Sequence, residues 1–234
     1  MFVHLRLHTE FSVVDGTCRI DDVLKAAQAD GQPALAITDL NNLFGGLKFY
    51  KSARSKGVKP VLGAELVMQP QGDEGESRLL VLVQNHQGYL NLSEILARAW
   101  TQPLGKTQTQ AQVAWAWLQE LHAGLIVLSG AHTGLVGQAL LRGDAATASR
   151  HALALAEMFP HRFYLELQRA GRAEDEALVA QTVELAARLQ LPVVATQPIQ
   201  FLRPDDFQAH EARVCIAEGE VLANAKRPRR FTQE

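Results

Sequence analysis

Alternation is the feature that most constrains this chain. Seven short apolar runs rich in Val, Leu and Ile lie at Val3–His8, Ala34–Asp39, Pro60–Met68, Arg78–Gln84, Gly124–Ser129, Phe163–Gln168 and Pro192–Thr196. Their length and their β-branched and aliphatic content read as strands. Helical patterns separate most of them, at Ile20–Ala29, Gly45–Lys56, Gln87–Trp100, Ala111–Leu121, Ala145–Met158 and Ala173–Leu189, with a last one at Asp206–Glu218. Val179, Val183, Ala186 and Ala187 form an i, i+4, i+7, i+8 stripe expected to face the core. Strands joined by helices imply parallel pairing, because parallel neighbours need long crossovers. That leaves an open doubly wound sheet or a closed barrel. No glycine-rich phosphate fingerprint follows the first strand, which weakens a dinucleotide-binding sheet. A barrel places chemistry at the C-terminal strand ends. There the polar residues His8, Asp39, Glu65, Gln84, Ser129, Gln168 and Gln197 collect. Gln69–Ser77 is a polar hairpin or loop, and Leu104–Gln110 an exposed stretch.

At 234 residues the chain has enough length for a substantial core. Its formal net charge of -2 provides no global field to draw it onto DNA. A contact with nucleic acid would have to be local. The basic segment Lys226, Arg227, Pro228, Arg229, Arg230 is a candidate for it, and a linker is the expectation there. Cys18 and Cys215 lie far apart in no zinc spacing, so each is expected to be a small buried residue. MFVHLRLH lacks the apolar stretch of a signal peptide, no run reaches membrane-spanning length, and a cytoplasmic location is expected.

In the first strand His4, Arg6 and His8 share one face by alternation, and Val3, Leu5 and Leu7 the other. Polar residues on a buried face require partners, so this face is expected to enter a site.

Several segments in order carry a resemblance. HLRLHTEFSVVDG (His4–Gly16), ALAITDLNNLFG (Ala34–Gly45), KPVLGAELVM (Lys59–Met68) and LVLVQNHQGYLNLSEILARAW (Leu80–Trp100) open the series. GLIVLSG, FYLELQR, LPVVATQPIQFL, DFQAHEARVCIAEG and KRPRRF continue it. Together they resemble the N-terminal polymerase-and-histidinol-phosphatase (PHP) domain of bacterial DNA polymerase III alpha subunits. The resemblance covers essentially the whole chain. It implies a distorted (βα)7 barrel of TIM-like PHP type over residues 1–222, with residues 223–234 a basic linker toward the polymerase palm.

Family members with intact sites are implied to bind divalent metals through imidazoles and carboxylates and to hydrolyse phosphoesters. Carried over position by position, His8, Asp15 and Glu65 remain donors, and Asp39 of the TDH motif is also kept. Arg6 stands for the first histidine of the opening motif, Leu40 for that of TDH, and Arg78 for the histidine before the fourth strand. Ala131 stands for a Cys or His, beside an out-of-register His132, and Pro198 and Gln200 replace the closing Asp and His. An arginine is never deprotonated in proteins and cannot replace a histidine ligand. The expectation is therefore no metal and no catalytic residue in this domain, with Mg needed only by the parent polymerase. Arg6 and Arg78 are expected to pair with Asp15 or Glu65, the alternative being guanidinium groups pointing to solvent.

The resemblance then implies a structural and partner-docking module. Its expected partners are the remainder of the alpha subunit (thumb and palm), the separate proofreading epsilon exonuclease, and DNA through the parent polymerase. Trp115, Trp117 and Phe207 are expected to be ordinary packing residues rather than its docking site. The alternative is a residual metal-dependent phosphoesterase or pyrophosphatase using His8, Asp15 and Glu65 with His132 or His210.

Overall fold

A computed structural model describes residues 2–72, 74–104 and 110–224. Six strands form one curled sheet in sequence order: β1 (Ala34–Ile37), β2 (Lys59–Met68), β3 (Ser77–Val83), β4 (Leu125–Leu128), β5 (Phe163–Gln168) and β6 (Val193–Thr196). Eight α-helices accompany it among the described residues: α1 (Ile20–Ala29), α2 (Gly46–Ser55), α3 (His86–Thr101), α4 (Trp115–Glu120), α5 (Leu135–Leu141), α6 (Ala145–Met158), α7 (Asp175–Leu189) and α8 (Phe207–Glu218).

The architecture is α/β as expected, but pairing is not parallel throughout, and the described residues form a curled six-strand half-barrel in place of seven regular strands. β1–β2, β4–β5 and β5–β6 are parallel, whereas β3 runs antiparallel to both β2 and β4. The cause lies in the connection. The polar stretch after Met68 holds no helix, so the chain can only turn back as a hairpin, with Met68 opposite Ser77. This reversal moves Gln84 to the opposite end of the sheet from Glu65, beside Gly124, whose carbonyl accepts from its amide. The same reversal brings Arg78, at the start of β3, to the C-terminal end of β2.

Val3–His8 is not a regular strand. It makes isolated bridges, His4 to Leu35 beside β1 and Leu7 to Ile199 beyond β6, and so spans the gap between the two sheet edges without a ladder. Because it changes partner midway, strict alternation lapses. Leu7 packs outward with α1 and α2, Leu5 packs inward, and Arg6 and His8 both reach the interior.

Three apolar clusters hold the layers. One lies between β2–β5 and α3–α7 and contains Leu66, Met68, Leu79, Leu92, Val127, Phe159 and Leu185. The second joins Leu7, Leu35 and Ile37 to Ile20, Leu24 and Phe49. A small third cluster, Ala36, Leu80, Leu82 and Leu128, fills the concave side of the sheet and forms the floor beneath the polar site. Fully burying a side chain such as Phe49 or Leu66 stabilises by about 1.5–3 kcal/mol. Leu66→Ala would cost about 2–5 kcal/mol once the cavity is counted.

Most helices lie where the periodicity placed them, with differences of a few residues at the ends, though α4 omits Ala111–Ala114 and α5 had no counterpart in the reading. The expected stripe on α7 is displaced. Leu178, Thr182, Leu185 and Ala186 are buried, while Val183 is exposed, because the spacing tolerates a one-residue rotation that only packing resolves. Both cysteines are free and buried. No helix among the described residues is long and apolar enough to cross a membrane. Residues 225–234, including Lys226, Arg227, Arg229 and Arg230, lie outside the described residues.

Candidate functional site

The C-terminal ends of β2 and β5, the start of β3 and the loops after the first segment and after β6 meet around buried carboxylates. Glu65 and Glu166 lie on β2 and β5, and Asp15 on the loop after His8. Gly16 permits that loop: a Cβ there would fall 1.9 Å from the Thr9 carbonyl oxygen. The absence of a side chain lets the turn lie flat on the Thr9 backbone, with Asp15 against His8. Gly130, at a φ of 83°, likewise packs where a Cβ would meet the Arg78 carbonyl oxygen at 2.2 Å, and its amide donates to Glu166 Oε2 at 3.1 Å.

Arg6 is at the centre. Its Nε donates to Glu166 Oε1 at 2.9 Å, its Nη2 to Glu166 Oε2 at 3.0 Å and its Nη1 to Glu65 Oε1 at 2.5 Å. A planar guanidinium suits this forked contact with one carboxylate and leaves a donor for a second. His8 is held in the same way between two acids. Its Nδ1 lies 2.9 Å from Asp15 Oδ1, and its Nε2 2.8 Å from Glu65 Oε2, the latter an ion pair rather than an aligned hydrogen bond. Arg78 approaches Glu65 at 3.5 Å and Glu76 at 4.0 Å. In the antiparallel register Glu65 faces Leu80, so Arg78 is its diagonal neighbour on the same face, within reach of a long side chain.

Further polar groups close the cluster. Ser12 Oγ and Gln200 Nε2 donate to Asp15 at 2.9 and 3.1 Å. Gln200 Oε1 meets His210 Nε2 at 2.9 Å, linking the cluster to α8. Gln168 and Thr196 both hydrogen-bond Glu166 Oε1. Asp39 is occupied elsewhere, accepting from the Thr9 amide and hydroxyl at 2.6 and 3.0 Å.

Electrostatics follow from burial opposed by pairing. Burial alone would suppress ionisation of Glu65 and Glu166, yet Arg6 overrides it and holds both below the ordinary carboxylate range, helped at Glu65 by Arg78 and His8. Asp15 is likewise held low by His8 against the cost of burial. Burial would push the His8 imidazolium down, but Asp15 and Glu65 outweigh it and raise its pKa to about 10. Asp39 is pushed up by burial, despite its bonds to Thr9. His132 is driven down to about 4 by burial and by Arg172 and Arg6, so it is neutral at pH 7.

His8, Asp15 and Glu65, the three residues singled out by the motifs, therefore converge, and Arg6, Arg78 and Gln200 sit among them. Both arginines reach Glu65, while Asp15 is paired with His8. Pro198 and His132 line the cavity of about 320 Å³ that opens over Arg6 and Glu65. Ala131 is buried behind it at a φ of 45°, and Leu40 bridges to Glu65 through the backbone alone. His4 turns away and packs edge-on against Phe2. His210 is fully buried and meets the cluster through Gln200. Glu166 is a site residue that the motifs do not indicate. Its signal was the period-two face Tyr164, Glu166, Gln168 within an apolar strand, a buried acid that had to have a partner. Trp115 and Trp117 pack against the large core cluster, and Phe207 packs against Phe201.

Among the described residues no three His, Cys, Asp or Glu side chains are grouped so as to hold a metal ion. Both ring nitrogens of His8 already face carboxylates, and the Arg6 guanidinium fills the space between Glu65 and Glu166.

Residues 4–170 match the family model described as PHP domain. Along its whole length the chain is 43% identical to the DNA polymerase III subunit alpha of Pseudomonas aeruginosa, and 42% identical to that of Escherichia coli K12. It is 49% identical over 99% of its length to that of Neisseria meningitidis serogroup A. It spans 20% of the length of each of these relatives. Among solved structures, an amidohydrolase from Chromobacterium violaceum with bound sulfate and no metal superposes with a TM-score of 0.57 at 13% identity, covering 90% of this chain and 96% of that one. A Bifidobacterium adolescentis protein assigned as a metal-dependent phosphoesterase gives 0.52 at 13% identity, over 85% and 87% of the two chains. These likenesses establish the fold.

Proposed function

The chain belongs to the PHP domain family, and on that premise we propose that it is a structural and partner-docking module of a replicative DNA polymerase III alpha subunit, working without metal-dependent hydrolysis. The observation that carries this is the position of Arg6. Its guanidinium bridges two fully buried carboxylates, supplying within the protein the positive charge that a metal would otherwise bring to them. His8, charged near neutral pH, does the same between Asp15 and Glu65. A metal would have to displace both side-chain cations and then find ligands at Leu40, Ala131, Pro198 and Gln200, which offer no imidazole, thiolate or carboxylate. The remaining donor set does not fit a multinuclear centre, and the site acts as a polar rivet between the first segment, β2, β5 and the loop after β6.

In this reading residues 1–222 form the module and 223–234 lead toward the rest of a longer chain. That chain's palm would carry Mg-dependent nucleotide addition, with DNA bound there. The separate proofreading exonuclease, the epsilon subunit, is the proposed docking partner, because a module lacking hydrolysis leaves proofreading to a protein in trans. The test is elemental analysis of the dialysed protein alongside release of p-nitrophenol from a phosphodiester. Substoichiometric metal and no release are expected. Tightly bound stoichiometric metal, with hydrolysis abolished by Glu65→Ala, would replace this reading with a phosphoesterase or pyrophosphatase.

A further inference from the structure

Away from the carboxylate site, one stretch stands out from the chain's slightly acidic balance. Between Asp39 and Glu65 there is no acidic residue, while Lys48, Lys51, Arg54, Lys56 and Lys59 place five cations on α2, the turn that follows it and the first residue of β2. In a chain of net charge -2 this is a local excess of positive charge along the sequence, and Arg54 and Lys59 of it line one groove. Beside that groove large aromatic side chains are exposed: Tyr50 and Tyr89 are 40% and 41% exposed. Two grooves meet there. One, of about 270 Å³, is walled by Leu43, Leu47, Leu62, Tyr50 and Tyr89. The other, of about 440 Å³, is walled by Tyr50, Arg54, Lys59 and Pro60. Tyr50 belongs to both. Arg54 steadies its ring, with the guanidinium carbon 5.7 Å from the ring centroid and Nη1 donating to the phenol oxygen at 3.1 Å.

We propose that this α2–α3 face binds single-stranded nucleic acid, taking a base against Tyr50 and Tyr89 in the apolar groove and the adjoining phosphates against Arg54 and Lys59 in the basic one. A stacking platform beside a cationic groove is what a sequence-tolerant single-strand site requires, since every base has a π-face and every nucleotide a phosphate. A protein partner is the competing occupant. Protein–protein interfaces are depleted in lysine, whereas four of the five cations here are lysines, and nucleic-acid interfaces favour positive charge. Duplex is disfavoured because its bases are stacked on each other and unavailable to Tyr50 and Tyr89. Two of the five are partly balanced: Lys48 pairs with Glu10 at 3.4 Å, and Lys56 and Asp21 share the Ser52 hydroxyl, so the proposal rests on Lys51, Arg54 and Lys59. This inference is independent of whether the carboxylate site holds metal.

The test is fluorescence anisotropy of a labelled oligo-dT of about 15 nucleotides with the 234-residue chain, at low and at physiological salt. Saturable binding is expected, weakening as salt rises. Lys51→Glu with Lys59→Glu should weaken it at least about tenfold and flatten the salt dependence, as expected when phosphate contacts are lost. Tyr50→Ala with Tyr89→Ala should weaken it at least about fivefold while leaving the salt slope unchanged, as expected when stacking is lost. These are surface positions, and unchanged melting curves will show that the variants fold. A third variant with Lys226, Arg227, Arg229 and Arg230 changed to Ser should retain most of the binding. No binding at low salt overturns the proposal, as does binding that survives both groove variants and disappears with the third. Tighter binding of poly-glutamate than of oligo-dT, lost in the same groove variants, would also overturn it and assign the face to an acidic protein partner.

Discussion

Arg6 and Glu166, 160 residues apart in the chain, make a two-point contact across the concave side of the sheet, Nε to Oε1 at 2.9 Å and Nη2 to Oε2 at 3.0 Å, with both side chains almost completely excluded from solvent. The contact ties the irregular first segment to β5 without a backbone ladder between them. A buried ion pair contributes little net stability over a well-packed apolar replacement, but breaking it from one side leaves an uncompensated charge. Arg6→Ala is therefore expected to destabilise by about 3–5 kcal/mol, because Glu65 and Glu166 both lose their main cation. For a domain of this size that corresponds to a fall in Tm of roughly 6–20 °C, measured by circular dichroism. Neutralising the acids as well, in Arg6→Met with Glu65→Gln and Glu166→Gln, should recover much of the loss. A single Arg6→Ala variant melting within about 2 °C of the natural chain would show that the cluster is not holding the fold.

Metal donors placed at six positions should confer metal binding. The variant Arg6→His, Leu40→His, Arg78→His, Ala131→Cys, Pro198→Asp and Gln200→His removes both arginines from Glu65 and introduces imidazole, thiolate and carboxylate. Without metal it should be less stable than the natural chain, since the acids lose their internal cations. Addition of Mn or Zn should then raise its Tm, with the metal retained through dialysis, because a ligand that binds only the folded state stabilises it. The natural chain should show no comparable rise. Equal responses from the two proteins would mean that the substituted positions do not govern metal binding.

Stability should depend on pH through His8. Its folded pKa is raised to about 10 from an ordinary 6.5, so its contribution is fully present below about pH 6.5 and is lost as pH rises through 10. Glu65 and Asp15 have depressed folded values, so their contribution is present above the ordinary carboxylate pKa near 4 and is lost on acidification. Urea unfolding across pH should show greatest stability between these limits, with an alkaline decline from 6.5 to 10. His8→Gln should lower the maximum and flatten that decline. An unchanged alkaline limb in the variant would assign the decline to other groups.

Removing the basic end should barely disturb the fold. Lys226, Arg227, Arg229 and Arg230 are dense in charge around Pro228 and contain little apolar surface to bury. A chain ending at Asn224 is expected to melt within about 3 °C of the original, and a larger drop would show that the segment docks on the domain.

The strands from Ala34 to Thr196 were legible because each apolar run is short and bounded by polar or glycine residues. α1, α3, α6 and α7 were legible from their periodicity. The direction of β3 was not. An apolar run has no orientation of its own, and only the helix-free connection before it carried the signal. The first segment also misled. Alternation placed Leu5 and Leu7 on one face, but alternation holds only along a continuous ladder, and this segment passes from β1 to the chain beyond β6. Among the site residues His8, Asp15 and Glu65 were found by motif, and the arginine pairing was anticipated from charge. The partner that takes most of Arg6, Glu166, was not, because nothing local to a strand says which distant acid a buried arginine will meet.

By itself, then, the sequence determined which groups are present: an α/β alternation, a family-like set of motifs, and the acids and cations that the site draws on. Those are properties of residue type and spacing. The tertiary structure alone decided which acid each cation compensates. The reversal of β3 brought Arg78 diagonally across from Glu65, and the curl of the sheet brought β5 close enough for Glu166 to meet Arg6. The physical reason is that an ion pair requires contact within about 4 Å and a low-dielectric setting, and both are set by chain crossings that no local pattern encodes.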